Sequence, residues 1–465
     1  MQTSRTFDVD AFLDSRKVGW PHLKIIILLV LAMMVDGYDI FVTGYTLPVL
    51  AKGLGVAPQA LTGVFVLQQF GLLIGTFIVG PIADRIGRRT TLLVAMACFS
   101  VCTLAVTQVT DVSQFLAIRF ISSIFFSAVI PNSIALSSEL APKRLRAGAV
   151  SLVFCGYTGG NFIGAIVQAW FLEPYGWQSA FWIGGLLPLA VLALLFVFLP
   201  ESIRFRALRN PTDRRIGGLL RRIDPSLKFD GSERFLVHTP SAAAPKAPVV
   251  ALFGPGLLRQ TLLLWCAFST TFVVSHLIGS WNTTVLHNLG GLSLQRLALI
   301  ASFSTTAGII GTGSSGFIMD RFGPSRVLPL FLAGAAIAIA CLGIVDLRSP
   351  AVFVVAMASG YFSNSGLGAL NALGALIYPP RMRATGVSWA AGAGRLGGML
   401  GPAIGGFMLA QHWGLQAIYL CTGAPALLAA VAILFIGRIK DEQHPDVVET
   451  APAGADVKAR VTASS

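Results

Sequence analysis

Four ionisable residues stand inside stretches that are otherwise apolar: Asp36 and Asp39 in MVDGYDIF, Arg119 in FLAIRFIS, and Arg395 in AGAGRLGGML. Charge within a membrane span is costly, so each is read as functional. Asp36 and Asp39 are three residues apart and share one helix face. Two carboxylates in a dry site cannot comfortably both ionise. Such a pair can load a proton on one side of a membrane and release it on the other, and proton coupling is the role expected of Asp36 and Asp39. A structural pair held by neighbouring donors, or direct contact with a cationic substrate, are the alternatives. Arg119 and Asp39 lie at similar depths, about 10 and about 13 Å from the outer ends of their helices at 1.5 Å per residue. An ion pair of Arg119 with Asp39 or Asp36 is therefore expected, with carbonyl-bound bracing as the alternative. Arg395 is surrounded by Gly392, Ala393, Gly394, Gly397 and Gly398, which leave room for a ligand and let helices approach. No acid falls within the spans of its half to neutralise it, and a guanidinium pairs with a carboxylate through two parallel hydrogen bonds. Its counter-ion is expected to arrive as an anionic substrate, with Arg119 as a possible second contact.

These charges need a membrane scaffold, and the composition supplies one. Of 465 residues, 54% are hydrophobic and only 12% charged, against about 25% charged in soluble proteins. The mean hydropathy is +0.74. A soluble enzyme, a disordered chain and a fibrous chain are excluded. Apolar stretches long enough to cross a bilayer fall at about 23–48, 61–82, 90–109, 113–137, 148–171, 180–199, 260–284, 295–318, 327–345, 350–377, 385–410 and 415–437. The expected fold class is an all-α membrane protein with twelve transmembrane helices in two pseudo-symmetric six-helix halves. The halves cover 1–200 and 259–440. Between them lies a linker, 201–258, Arg-rich and then Pro/Ala-rich, expected to be partly disordered and not a third domain. A tail covers 441–465. Residues 1–20 are polar and do not read as a secretory signal peptide.

Internal similarity supports the two halves. GPIADRIGRR after the second span matches GFIMDRFGPSR after the eighth, and PKRLRAGAVS matches PPRMRATGVS. In the second pair, Gly160 and Gly164 further along match Gly397 and Gly401. Two parallel repeats around a midplane cavity is a transporter architecture.

The net charge of +13 has a membrane reading as well. Of the 34 Lys/Arg, only Lys52, Arg296 and Arg348 fall in loops on one side, while Arg119 and Arg395 lie within spans. The rest fall on the side that carries both termini. Basic loops stay in the cytoplasm, so both termini are expected there, and the charge calls for no nucleic acid partner.

Further candidates are weaker. His276 in the seventh span is a possible proton relay. Trp281 and Asn282 could offer a stacking face and a polar handle near the outer end of a cavity. Tyr38 and Asn371 are substrate-contact candidates, as are Phe41, Tyr45, Tyr157, Tyr361 and Phe362, with core packing the alternative for each. The two Gly-x-x-x-Asp-Arg-x-Gly segments suit a gate: Gly80, Asp84, Arg85 and Arg88 in the first, Asp320 and Arg321 in the second. Arg85 and Arg88 can pair with acids of the neighbouring bundle, Glu139 and Glu201 being plausible partners. Cys98, Cys102, Cys155, Cys266, Cys341 and Cys421 all lie in apolar segments and read as core residues. No phosphate-binding loop, nucleophile elbow or metal-ligand spacing is present, so no cofactor and no metal are expected.

The paired loops, together with LPESIRF, resemble the major facilitator superfamily over nearly the whole chain. Within it the chain is similar to the aromatic acid:H+ symporter family. The similarity rests on DGYDIFVTGY with Pro48, PNS at Pro131–Ser133, CGYTGG at Cys155–Gly160, GWQSAFWIGGLLPL, Ser280–Trp281, LNAL, and YPPRMRATGVSW with GRLGGMLGP. The resemblance implies proton-driven import of a small, benzoate-like aromatic carboxylate across a bacterial inner membrane, with functional roles for Asp36, Asp39, Asp84, Arg119 and Arg395. Its implied partners are that carboxylate, protons and the lipid bilayer, with the protein a monomer. Many relatives carry Gln-x-Gly where this chain has Leu367, Gly368 and Ala369, and the second loop reads Gly-Pro-Ser-Arg where the first has Gly-Arg. Two other readings stay open: a proton-coupled exporter of drugs or organic anions, and a receptor that binds an aromatic acid without transporting it.

Overall fold

The computed structural model describes residues 6–15, 19–140, 142, 146–224, 227, 229, 233–237, 249–254, 256–378 and 382–443. Twelve long helical segments follow the twelve apolar stretches. They are α1 (Trp20–Gly53), α2 (Thr62–Ile86), α3 (Arg88–Val106), α4 in two parts (Val112–Phe126 and Val129–Leu140), α5 (Arg146–Tyr175) and α6 (Trp177–Phe198). Then come α7 (Leu258–Asn288), α8 (Leu294–Phe322), α9 (Pro324–Leu342), α10 (Ala351–Ile377), α11 (Arg383–Ala410) and α12 (Leu415–Gln443). Ten of the described helices are long and apolar enough to cross a membrane by length and composition. The interruption in α4 falls at Ser127–Ala128. Pro131 has no N–H to return to the Ser127 carbonyl, which is the break expected of a proline at that spacing.

The two halves repeat one packing scheme. In the first, α1 pairs with α5, α2 with α4 and α3 with α6; in the second, α7 pairs with α11, α8 with α10 and α9 with α12. Each pairing becomes its counterpart when six is added. Across the halves α5 meets α8, α2 meets α11, and α1 meets α7.

Small residues set the closest crossings. A Cβ at Gly160 of α5 would run into the Met34 carbonyl of α1, and one at Gly397 of α11 into the Ser269 carbonyl of α7. These two glycines occupy matching positions of the sequence repeat, so the repeat conserves a backbone contact.

The buried apolar clusters show how the halves meet. On the side away from the termini, one cluster draws on both halves: Val42, Leu61 and Phe65 with Trp281, Val285, Leu286 and Met408. Nearer the termini the clusters separate. Leu28, Met33, Met96, Phe126 and Leu195 belong to the first half alone, and Leu264, Phe268, Leu332, Leu373 and Ile433 to the second. The bundle is sealed on its far side and divided on its terminal side. Its outer surface exposes Phe77, Trp170, Phe196, Phe317, Leu330 and Val354, as lipid-facing helices do.

The linker is more ordered in part than its composition suggests. Strand β1 (Thr6–Asp8) pairs in parallel with β2 (Arg234–Leu236). Short helices at Val9–Ser15, Ile203–Arg209 and Arg214–Ile223 surround this ribbon. Val9, Ile203, Ala207, Ile216, Leu220 and Phe235 form the small core, against which Ile25 of α1 packs. The Pro/Ala-rich part of the linker, the tail from residue 444, and the structure of Lys143–Leu145 lie outside the described residues.

Candidate functional site

The α1–α5 crossing delivers the acids. A Cβ at Gly37 would collide with the Tyr157 carbonyl oxygen, and one at Gly156 with that of Val30. The contact turns Asp36 and Asp39 fully inward, both with no exposed surface. From there their surroundings diverge. Arg119 Nη1 donates to Asp39 Oδ2 at 2.8 Å, and Nη2 donates to the Asp39 backbone carbonyl at 2.7 Å. Thr103 Oγ1 adds a bond to Asp39 Oδ1 at 3.2 Å. Asp36, one turn earlier, has neither carboxylate oxygen hydrogen-bonded. A buried anion without a partner is expensive, whereas a protonated carboxyl is much less so.

Arg119 is thus brought to Asp39 rather than to an open space. Its side chain has no exposed surface, and the rings of Phe126 and Phe181 stand 5.9 Å from its guanidinium carbon. Arg395 differs. It is part-buried, and among the described residues it forms no hydrogen bond or ion pair. Tyr157 of α5 lies in the electrostatic field of both Asp36 and Arg395, so it is near the unpaired acid of one half and the unpaired base of the other. Phe41 and Phe154 flank the Tyr157 ring, each with its centroid 5.7 Å away. The Phe272 and His276 rings of α7 stack at 5.5 Å. Arg395, Tyr157, Phe41, Phe272 and His276 are all part-buried. Tyr157 from the first half and Phe272 and His276 from the second thus bring aromatic rings to the neighbourhood of Arg395, Phe272 lying beside Gly394 and His276 beside Gly398 of α11.

The other sequence candidates are placed as follows. Trp281 is wholly buried in the far-side seal, edge-on to Phe65, with its indole N–H donating to the Pro402 carbonyl at 2.8 Å. Asn282 Oδ1 accepts from Tyr419 Oη at 2.5 Å. Tyr38 is fully buried, and its hydroxyl donates to the Ala180 carbonyl at 2.7 Å. In this conformation the polar atoms of these three join helices. Asn371 lies on α10, its side chain outside what is described. Tyr45 Oη donates to Asn161 Oδ1 at 2.5 Å, and Asn161 Nδ2 to Thr305 Oγ1 at 3.1 Å, a chain that ties the halves on the far side.

The first Gly-x-x-x-Asp-Arg-x-Gly segment is fastened within its own half, not to the other bundle. Arg88 pairs with Glu139 at the end of α4, which also accepts from Ser202. The Arg89 amide donates to Glu201 at 3.0 Å, and Arg209 to the Arg85 carbonyl at 3.2 Å. Gly87 takes a φ of 100°, and a Cβ there would collide with the Glu201 carboxylate. Asp84 and Arg85 are exposed, with Asp84 in the field of Arg88. Gly80 meets nothing within 4 Å of a built Cβ. In the second segment Arg321 is exposed beside Phe322, and the Asp320 side chain lies outside what is described. Expected contacts between bundles through these arginines are absent among the described residues.

Residues that type and spacing did not single out include Phe272, Gln69, Thr103 and Asn161. The adjacent Gln68 and Gln69 within an apolar span were the signal available for one of them. Gln69 and His276 both lie beside Gly398, at 3.5 and 3.4 Å from a built Cβ.

With that geometry in view, the comparisons with known proteins are specific. The family described as Major Facilitator Superfamily matches residues 29–357 and 263–462. A gallate transporter of Pseudomonas putida is 35% identical over 445 residues, covering 96% of this chain and 98% of that protein. A 4-hydroxybenzoate transporter of Acinetobacter baylyi is 32% identical over 433 residues, covering 92% and 94%. Among solved structures, the xylose transporter of E. coli in an inward open conformation has a TM-score of 0.69 at 19% identity, covering 89% of this chain and 95% of that one; that likeness is one of fold.

Proposed function

Because the chain belongs to the major facilitator superfamily, a family of membrane transporters and not of enzymes, we propose that it imports a small aromatic carboxylic acid with protons across a bacterial inner membrane. The observation that carries the reading is the unequal pairing of four charges within the helices. Arg119 neutralises Asp39, while Asp36 in one half and Arg395 in the other have no partner among the described residues. A proton supplies what Asp36 lacks. A carboxylate supplies what Arg395 lacks, through a charge-assisted pair. Gallate and 4-hydroxybenzoate, the cargoes named for two relatives, carry such a carboxylate on a ring, and Phe41, Tyr157 and Phe272 offer that ring apolar faces.

The excess of Lys and Arg on the terminal side supports a cytoplasmic location for it. The conformation described, sealed on the far side, is then the one that releases cargo inward. In the opposite conformation, Asp36 takes a proton from outside and the acid binds Arg395. The halves rock about the α5–α8 and α2–α11 contacts, and both ligands leave to the cytoplasm. Asp39–Arg119 stays paired and holds α1 against α4. Gly80, Asp84, Arg85, Arg88, Glu139, Asp320 and Arg321 line the ends that must close when the far side opens. The protein works as a monomer in this scheme.

The reading is tested in proteoliposomes with an imposed pH gradient and labelled 4-hydroxybenzoate. Accumulation that disappears when the gradient is collapsed supports it. Accumulation indifferent to the gradient contradicts proton coupling. Binding without accumulation would make the protein a receptor.

A further inference from the structure

We propose that His276 is a specificity residue: its Nε2 accepts a hydrogen bond from a ring hydroxyl of the bound acid, so the carrier favours hydroxybenzoates over benzoate. The proposal rests on the aromatic-acid reading above, with Arg395 holding the carboxylate.

Three observations carry it. First, His276 Nδ1 lies 3.0 Å from the Phe272 backbone carbonyl. A carbonyl only accepts, so the hydrogen sits on Nδ1, and in the neutral ring Nε2 is left as an acceptor alone. Second, Nε2 has no hydrogen-bond partner among the described residues, on a side chain that is only part-buried.

Third, the location fits. The Nδ1–Cε1 edge of the ring is 3.4 Å from a Cβ built on Gly398. Gly398 is three residues beyond Arg395 on α11, an axial step of about 4.5 Å. Having no side chain, Gly398 lets the imidazole, with the Gln69 amide beside it, come against α11 one turn from Arg395. In the proposed pose a benzoate ring held by its carboxylate at Arg395 lies along α11 toward Gly398 and brings its remote edge to His276. Stacking on Phe272, with 21° between the ring planes, keeps the imidazole in that attitude. A proton relay through His276 fits less well, because the charged group whose field reaches it is Arg395, and a guanidinium does not pass protons.

The test is competition against uptake of labelled 4-hydroxybenzoate in proteoliposomes, using 3-hydroxybenzoate, 4-methoxybenzoate and benzoate. The methyl ether retains the oxygen but cannot donate. In the unmodified protein, hydroxybenzoates should compete about tenfold better than the methoxy acid and benzoate, the value of one well-placed hydrogen bond. H276N keeps an amide toward Phe272 and withdraws the acceptor at Nε2; it should bring the competitors within about twofold of one another. H276Q places a polar atom near Nε2 and should recover part of the preference. A preference that survives in H276N, or a methoxy acid that competes as well as the phenol in the unmodified protein, overturns the assignment. If the unmodified protein takes up no aromatic acid, the parent reading fails and this one with it. Uptake with an unchanged order of preference fails His276 alone.

Discussion

Arg119 grips Asp39 at two atoms, the carboxylate at 2.8 Å and the backbone carbonyl at 2.7 Å, while Asp36 one turn away is left without a partner. The two acids share a helix face but not a role. The pair joins α1 to α4 and is fully withdrawn from solvent. In the proposed cycle the lone carboxyl is the group that changes charge as the halves move.

Removing Arg119 strands a buried carboxylate, a loss of about 3–5 kcal/mol for a pair of this kind. R119A should therefore melt well below the unmodified protein in detergent. R119K should recover little, because an ammonium cannot reproduce the forked contact. Adding D39N to R119A should restore part of the loss, since the uncompensated charge goes with it. Equal melting of all variants would show that the pair contributes nothing.

The α1–α5 crossing predicts a sharp contrast between two glycines. At Gly37 a methyl group meets the Tyr157 backbone carbonyl, which cannot yield as a side chain would; at Gly148 it meets nothing within 4 Å. G37A should cost about 1–3 kcal/mol by overpacking and displace Asp36 with it. G148A should be neutral or slightly stabilising. Thermal unfolding of the two variants, with uptake measured beside it, checks the pair.

Much of this architecture was legible before the structure, for identifiable reasons. The twelve spans and the repeat could be read because apolar length and the matching of Gly160 with Gly397 are local signals. The inward face of Asp36 followed from the cost of exposing it to lipid. By contrast, Tyr38, Trp281 and Asn282 were picked by residue type, and type does not say which neighbour a polar atom meets. Their bonds to Ala180, Pro402 and Tyr419 come from other helices far along the chain. The β1–β2 ribbon was hidden for a similar reason: its pairing joins residues over two hundred positions apart, and neither strand is long enough to declare itself. Phe272 was missed because a phenylalanine in a membrane span is unremarked until the ring stacked on it is known.

Opposing shifts are expected from the two ends of the molecule. N161A removes the link from Tyr45 to Thr305 on the far side. At roughly 1 kcal/mol per net hydrogen bond, it should move the balance toward far-side opening by about fivefold or more. G80L fits the open terminal side as described but should obstruct its closure, moving the balance the other way. Distances between spin labels across each end, measured for both variants, report the direction. Shifts of the same sign would contradict the assignment of the two ends.

The linker gives a pH prediction with a definite sign. Asp213 caps the helix Arg214–Ile223 through the Arg215 amide at 3.0 Å and pairs with Arg206 at 3.1 Å. Burial works against its charge, but these partners outweigh it and hold the carboxyl below the ordinary range. A folded value lower than the unfolded one means that the stabilisation is present above the unfolded pKa, about 3.9, and is lost as pH falls through the folded value. Between pH 5 and 8 the Asp213 cap should therefore be indifferent to pH. D213A should lose about 1 kcal/mol of capping, seen as about fivefold faster hydrogen exchange in that helix. A pH effect on uptake in the same window has to come from elsewhere in the protein.

Asp36 is where that effect should arise. The most direct measurement compares D36N with the unmodified protein in two assays of labelled 4-hydroxybenzoate: accumulation driven by a pH gradient, and counterflow with no gradient. An asparagine remains neutral, so D36N can still bind and exchange the acid but has no charge to cycle. Accumulation should fall to the equilibrium level while counterflow persists. Gradient-driven accumulation by D36N equal to that of the unmodified protein would contradict the role of Asp36 as the proton carrier.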